Sequence, residues 1–233
     1  MVAATRRERL RTETIAEIKQ AAWAELQDAG AQDLSLRGVA RRLGMAPSAL
    51  YRYFESRDEL LTALIIEAYS ALAEELERHY GRASRRRNAT AHDVFLQVAR
   101  AYRKWALSHS LEYKLIFGTS IPGYTGTEQT TEASIRSSAV LLRIMADMIR
   151  EKGIEAGDWR GELDPDVRSK LQAWSETLAE PLPPEALRAA LACFATLHGA
   201  INLEIYSHLP KKMGSEEMFV AIIEHSVDTA LRS

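Results

Sequence analysis

The chain has one cysteine in 233 residues, which excludes both covalent staples open to a fold of this size. A lone Cys193 closes no intramolecular disulfide and builds no structural zinc site. Glycine (12) and proline (7) are sparse, and strand-length runs of alternating β-branched residues, internal repeats and low-complexity tracts are lacking. No apolar run reads as approaching the roughly 18 residues of a membrane-spanning helix; the longest, Leu60 to Ile66, is interrupted by Thr62 and ends at Glu67. The arginine-rich start leads into an amphipathic pattern rather than an apolar secretory core, so a cytoplasmic location with no membrane partner is expected.

Catalytic signatures are lacking as well. There is no Gly-x-Ser-x-Gly elbow, phosphate-binding glycine loop, dinucleotide fingerprint or His-Glu-x-x-His pair. The histidines at 79, 92, 109, 198, 208 and 225 have no metal-ligand spacing, and Cys193 sits among apolar neighbours where a thiol is inert. Asp158, Glu162, Asp164 and Asp166 depart from a calcium loop because Arg160 stands at a ligand position. Neither an enzyme nor a cofactor or metal is expected.

What is present is a chain 46% hydrophobic and 27% charged, able to bury a sizeable core as one large domain or a small one joined to a larger one. The net charge of −2 hides an asymmetry. From Leu34 to Arg57, five arginines (37, 41, 42, 52 and 57) face one acid, Glu55. Residues 1 to 12 add Arg6, Arg7, Arg9 and Arg11 against Glu8. Two positive islands at one end of a net-negative chain suit a small anion-binding module on a neutral or acidic body, although a solvated basic face has the same charge.

Apolar residues recur every three or four positions nearly throughout, which predicts an all-α fold. A first helix is expected from Thr12 to Ala29, stopped by Gly30. A second opens at Ser35 as N-cap and ends before Gly44, and a third starts at Pro47 and runs to about Phe54. Ser56 and Glu59 stand at capping-box spacing at the start of a long fourth helix. Further helices are expected at about 91–108, 110–117, 130–152, 164–178, 184–209 and 215–231. The domain boundary is set at 57/58, with a helix-turn-helix at about 34–54 in an N-terminal three-helix domain (1–57). A larger C-terminal helical domain follows (58–233).

The second and third helices, joined through a tight glycine turn, have the form of a helix-turn-helix, whose second helix enters the DNA major groove. In Pro47-Ser48-Ala49-Leu50-Tyr51-Arg52-Tyr53-Phe54, Leu50 and Phe54 can point inward, leaving Ser48, Ala49, Arg52 and Tyr53 outward and Tyr51 near the edge. Arg52 can reach guanine edges or phosphate, and tyrosine hydroxyls can bond phosphate. Spacing alone leaves an ordinary surface helix open too.

The segment Leu34 to Leu61, with its Gly38-Val39-Ala40 run, the Gly44-Met45-Ala46 turn, Leu50-Tyr51-Arg52-Tyr53-Phe54 and Glu59-Leu60-Leu61, resembles the amino-terminal domain of the tetracycline-repressor (TetR) family. The resemblance implies DNA contacts by Ser35, Arg37, Pro47, Ser48, Ala49, Tyr51, Arg52, Tyr53 and Arg57, the last against a phosphate near a helix start. Ala46 stands where the pattern often has serine, which removes a side-chain cap worth about 1 kcal/mol.

In the family, the last two helices pair with their copies, so a homodimer through the helices at about 184–209 and 215–231, bound to a two-fold symmetric double-stranded DNA operator, is the implied assembly. The run around Phe194, His198 and Gly199 resembles a subgroup with an aromatic-or-Leu, His, Gly signature, and Gly199 suggests a close helix approach. Trp105, His109, Tyr113, Phe117, Met145, Met148 and Trp174, with His198, are the candidates for a pocket holding an apolar or aromatic small-molecule effector. At helical spacing, the same residues are equally what a helical core contains. The function expected is a ligand-responsive transcriptional repressor; the alternative is an activator, or a helical small-molecule-binding protein without repressor function.

Overall fold

The computed structural model describes residues 5–154, 159, 162–178, 180–210 and 213–231. Among them lie ten α-helices and no strand. α1 (Arg6–Ala29) starts six residues before the expected Thr12. Thr5 Oγ1 accepts from the Glu8 amide at 3.2 Å, and the Glu8 carboxylate accepts from the Thr5 amide at 2.7 Å. This capping box initiates turns that apolar periodicity could not reveal, because residues 6–13 are all exposed.

α2 (Leu36–Arg42) begins where Ser35 Oγ accepts from the Gly38 amide at 3.1 Å. Gly44, at φ 63°, turns the chain in the left-handed region that glycine enters without strain. α3 (Pro47–Leu50) has no side-chain cap at Ala46 and is shorter than expected. Residues 51–53 form a turn closed by the amides of Tyr53 and Phe54, both donating to the Leu50 carbonyl. Leu50 and Phe54 nevertheless both point inward, at 0% and 5% exposure.

α4 (Arg57–Ala83) starts with half of the expected box: Ser56 Oγ accepts from the Glu59 amide at 3.1 Å. The Glu59 carboxylate accepts from the Glu55 amide instead of from Ser56. α5 (Ala91–Ser108), α6 (Ser110–Phe117), α7 (Glu128–Lys152), α8 (Pro165–Ser175), α9 (Pro184–Ile205) and α10 (Glu216–Ala230) follow. α8 and α9 end three and four residues short of the expected 178 and 209. Asp164 Oδ1 caps α8 by accepting from the Asp166 amide at 2.9 Å; Asp158 and Arg160 lie outside the described residues.

Two compact units result: residues up to Ala71 with Ser110–Ser134, and Leu72–His109 with Ile135 onward. α4 and α7 each contribute a segment to both. The first unit closes around Ile18, Ala22, Leu26, Val39, Leu50, Leu60 and Leu64, with α2 packed on α1 and α3. It therefore holds more than the 1–57 stretch that carries the helix-turn-helix.

In the second unit, α9 packs on α5, α8 and α10. Arg103 on α5 ties the α9–α10 connection down. Its guanidinium donates to the Glu204 carboxylate at 2.8 and 2.5 Å and to the Gly214 carbonyl at 3.2 Å. α9 also corrects the reading of apolar runs: it has 22 residues, and an 18-residue window within it has a mean hydropathy of 1.3, long and apolar enough to cross a membrane by length and composition. Leu187, Leu197 and Ile201 are buried in the unit, so part of that apolar surface belongs to a protein core.

Candidate DNA interface and ligand chamber

Ser35, Arg37, Pro47, Ser48, Tyr51 and Arg52 are exposed on the first unit, while Ala49 and Tyr53 are half-buried. Pro47 sits at the first position of α3, and Tyr51 is 47% exposed, a large exposure for an aromatic ring. Arg37, Arg41 and Arg52 make no ion pair among the described residues. The other two arginines of that basic island have internal partners. Arg42 Nε donates to buried Glu25 at 2.6 Å, and its terminal nitrogen donates to Asp28, joining α2 to α1. Arg57 donates to the carbonyls of Ala31 (2.9 Å), Gln32 (3.3 Å) and Leu34 (3.0 Å). Three carbonyls fixed by one rigid fork hold the loop that sets Ser35 and α2 in place.

The second unit contains an apolar cavity of about 170 Å³. Phe95 of α5, Leu141, Leu142 and Met145 of α7, Trp174 of α8, and Ala190, Cys193, Phe194 and Leu197 of α9 line it. Its polar edge is Ser138, and no charged side chain is among the described lining residues. Burial pushes the Cys193 thiol up, so it lines the chamber as a small apolar group.

Of the effector candidates, Met145 and Trp174 meet in this cavity. Met148 is buried but does not line it. Trp105 is buried and stacks on exposed His109, with ring centroids 5.3 Å apart. Tyr113 and Phe117 belong to the first unit, where Phe117 meets Tyr69 edge-on at 5.7 Å. His198 lies on α9 beside Phe194, at 4.2 Å between ring centroids, and its Nε2 is 2.9 Å from the Tyr102 hydroxyl.

On the outer sides of α9 and α10, a shallow groove is lined by Ala192, Thr196, Ala221, Ile222, His225 and Thr229. A Cβ on Gly199 would meet no atom within 4 Å, so no close helix approach occurs there among the described residues.

The family description for bacterial regulatory proteins of the tetR family matches residues 18–64. The tetracyclin repressor-like C-terminal domain matches residues 95–226. The chain belongs to the TetR family. It is 36% identical over 188 residues to the HTH-type transcriptional regulator Rv1816 of Mycobacterium tuberculosis, covering 78% of this chain and 76% of that protein. The regulatory protein SCO4313 has a similar crystal structure, with a TM-score of 0.75 and 34% identity over 97% of this chain and 99% of that one. The SmeT–triclosan complex shares the fold at a TM-score of 0.54 and 20% identity, over 94% and 90% of the two chains. This TetR-family protein is thus a DNA-binding transcriptional regulator carrying a helix-turn-helix, in a class of soluble proteins that are not enzymes.

One titratable group beside the regulator's chamber has a measurable signature. Burial pushes His198 down to about 4 from an ordinary value near 6.5. Between those values the unfolded chain takes up a proton that the folded chain refuses, so stability is full above pH 6.5 and is lost as pH falls toward 4. Urea unfolding at pH 7.5 and 5 should differ by as much as about 2 kcal/mol through this group. The difference should shrink by that amount in His198→Asn; an equal pH dependence in both proteins would show that His198 is not desolvated.

Proposed function

We propose that the chain is a cytoplasmic homodimeric repressor whose DNA affinity falls when a neutral, apolar or aromatic small molecule occupies the second unit. The observation that carries this reading is the uncharged 170 Å³ cavity in a chain whose other unit exposes a helix-turn-helix. A cavity of about 150 Å³ takes a benzene-sized ring, and a buried unpaired charge costs several kcal/mol, which favours neutral ligands. SmeT, with the same fold, is a protein seen with triclosan bound.

Dimerisation rests on the outer stripe of α9, where Ala192, Ala195, Gly199 and Leu203 are exposed, with exposed Tyr206 just past its end, and on Met218, Ala221 and His225 of α10. Small residues there let a second copy's helices approach closely. Ser48, Arg52 and the tyrosines read the groove, while Ser35 and Arg37 hold phosphate and Arg57 braces the loop that positions them. A ligand that binds better to the form fitting DNA poorly must weaken DNA binding by the same factor.

The test is selection of bound duplexes from random DNA by the full chain. A two-fold symmetric sequence should emerge, held by a species of twice the 26.1 kDa chain mass. Arg52→Ala should bind it about tenfold more weakly and with less sequence preference. Absence of any selected sequence, or a monomer on the duplex, would overturn the proposal.

A further inference from the structure

The first two turns of α1 contribute no buried residue to the first unit. Ile15, Ile18, Ala22 and Leu26 form the side of α1 that faces the core of that unit. Tracing the same stripe back toward the N-terminus at helical spacing gives Arg11 and then Arg7, where apolar residues stop and arginines take their place. Residues 6–13 are all exposed, and none of Arg6, Arg7, Arg9 and Arg11 forms an ion pair among the described residues. Of the two acids in this stretch, Glu8 is held by Thr5 and Glu13 stands at its inner end, away from the helix start.

Such a segment is costly in isolation. A few turns of helix without packing are marginal in water, and cations at a helix's positive end oppose its dipole. Four arginines against two glutamates, one of them capped, break both rules at once, and a sequence that does so reads as a surface awaiting an anion. The position of that surface is fixed by Arg11, whose guanidinium lies 5.3 Å over the ring of Tyr53, directly after Arg52. Arg7 is one turn farther out, about 6 Å along the axis.

We propose that Arg7 and Arg11 form a second DNA-contacting surface, separate from the helix-turn-helix, that grips phosphates of the duplex flanking the element read by α3. The aligned amides at the α1 N-terminus and the charges of Arg6 and Arg9 strengthen the field there. Because the contact is to phosphate, it adds affinity and salt dependence without sequence preference. The proposal rests on the DNA-binding reading above and widens the footprint that reading implies.

The experiment compares the full chain with R7A/R11A on the selected core duplex and on the same core extended at both ends with either of two unrelated flanks. The wild-type chain should bind both extended duplexes about tenfold more tightly than the core, with equal gain for the two flanks. R7A/R11A should lose that gain, and its slope of log affinity against log salt on extended DNA should fall by about 0.9 per lost phosphate contact. R7K/R11K should keep most of the gain. A thermal melt of R7A/R11A at or above wild type is the folding control, since removing cations from the positive helix end relieves repulsion. A gain that survives in R7A/R11A, a wild-type chain that ignores the flanks, or a gain confined to one flank sequence would overturn the proposal. Failure to select any core sequence would overturn the DNA reading itself.

Discussion

Gly38→Ala should destabilise the unit that carries the helix-turn-helix by about 1–3 kcal/mol and thereby cost DNA binding, although Gly38 touches no DNA in this reading. A Cβ at position 38 would stand 2.2 Å from Glu25 Oε1 and 2.9 Å from its Cδ, well inside contact distance. A free surface glutamate would swing aside at little cost. Glu25 is only 8% exposed, and its carboxylate accepts from Arg42 Nε at 2.6 Å, so retreat breaks the pair that fastens α2 to α1. Overpacking such a tight contact costs about 1–3 kcal/mol, and solvent-facing Arg42, which keeps Asp28, adds no buried-charge penalty to that.

The double variant Gly38→Ala with Glu25→Ala separates steric from electrostatic loss. Removing the glutamate side chain removes the clash, so the alanine at 38 should then cost far less than in the wild-type background. Denaturant titrations of the four proteins form the cycle. Equal cost of the glycine change in both backgrounds would show that the close approach to Glu25 is not what excludes a side chain there.

The helix-turn-helix was legible because its determinants lie within one contiguous segment. Ser35, Gly44, Pro47, Leu50 and Phe54 each announce a cap, a turn or an inward position through local chemistry, and the structure places all five accordingly. What lay outside local chemistry was not legible. Arg57 carries the same positive charge as Arg52, yet its guanidinium reaches back to carbonyls 23 to 26 residues earlier. Nothing in periodicity distinguishes an arginine that braces a loop from one that faces solvent.

The chamber illustrates a deeper limit. Phe95, Leu142, Ala190 and Phe194 are apolar residues at helical spacing, as a filled core would also require. Whether four helices close completely or leave a void depends on the summed shapes of side chains from distant segments. The sequence could therefore nominate Met145 and Trp174 by size and placement, but Ala190, whose smallness helps create the space, gave no signal. Likewise the first turns of α1 were legible as charge but not as helix, because the apolar period is blind to a helix end that carries only arginines on its inner stripe.

Ala190→Phe should abolish response to the ligand while leaving the fold intact, with affinity for a small neutral aromatic falling about 100-fold or more. Ala190 is 9% exposed on α9 and lines the cavity, so a phenyl ring there occupies the space a ligand ring would take. Inserting bulk into a well-packed core ordinarily costs about 1–3 kcal/mol, whereas filling a pre-existing void restores lost dispersion contacts. The melting temperature of Ala190→Phe should accordingly match or exceed that of the wild type. Toluene, followed by thermal shift and by NMR titration, is the probe: it should stabilise the wild-type chain and leave the variant unchanged. Benzoate, with the same ring and a charge, should stabilise neither, because the described lining offers no cation to pair with a carboxylate. Toluene binding equally to both proteins would place the ligand site elsewhere. A variant that melts many degrees lower would mean that the cavity is not vacant space in solution.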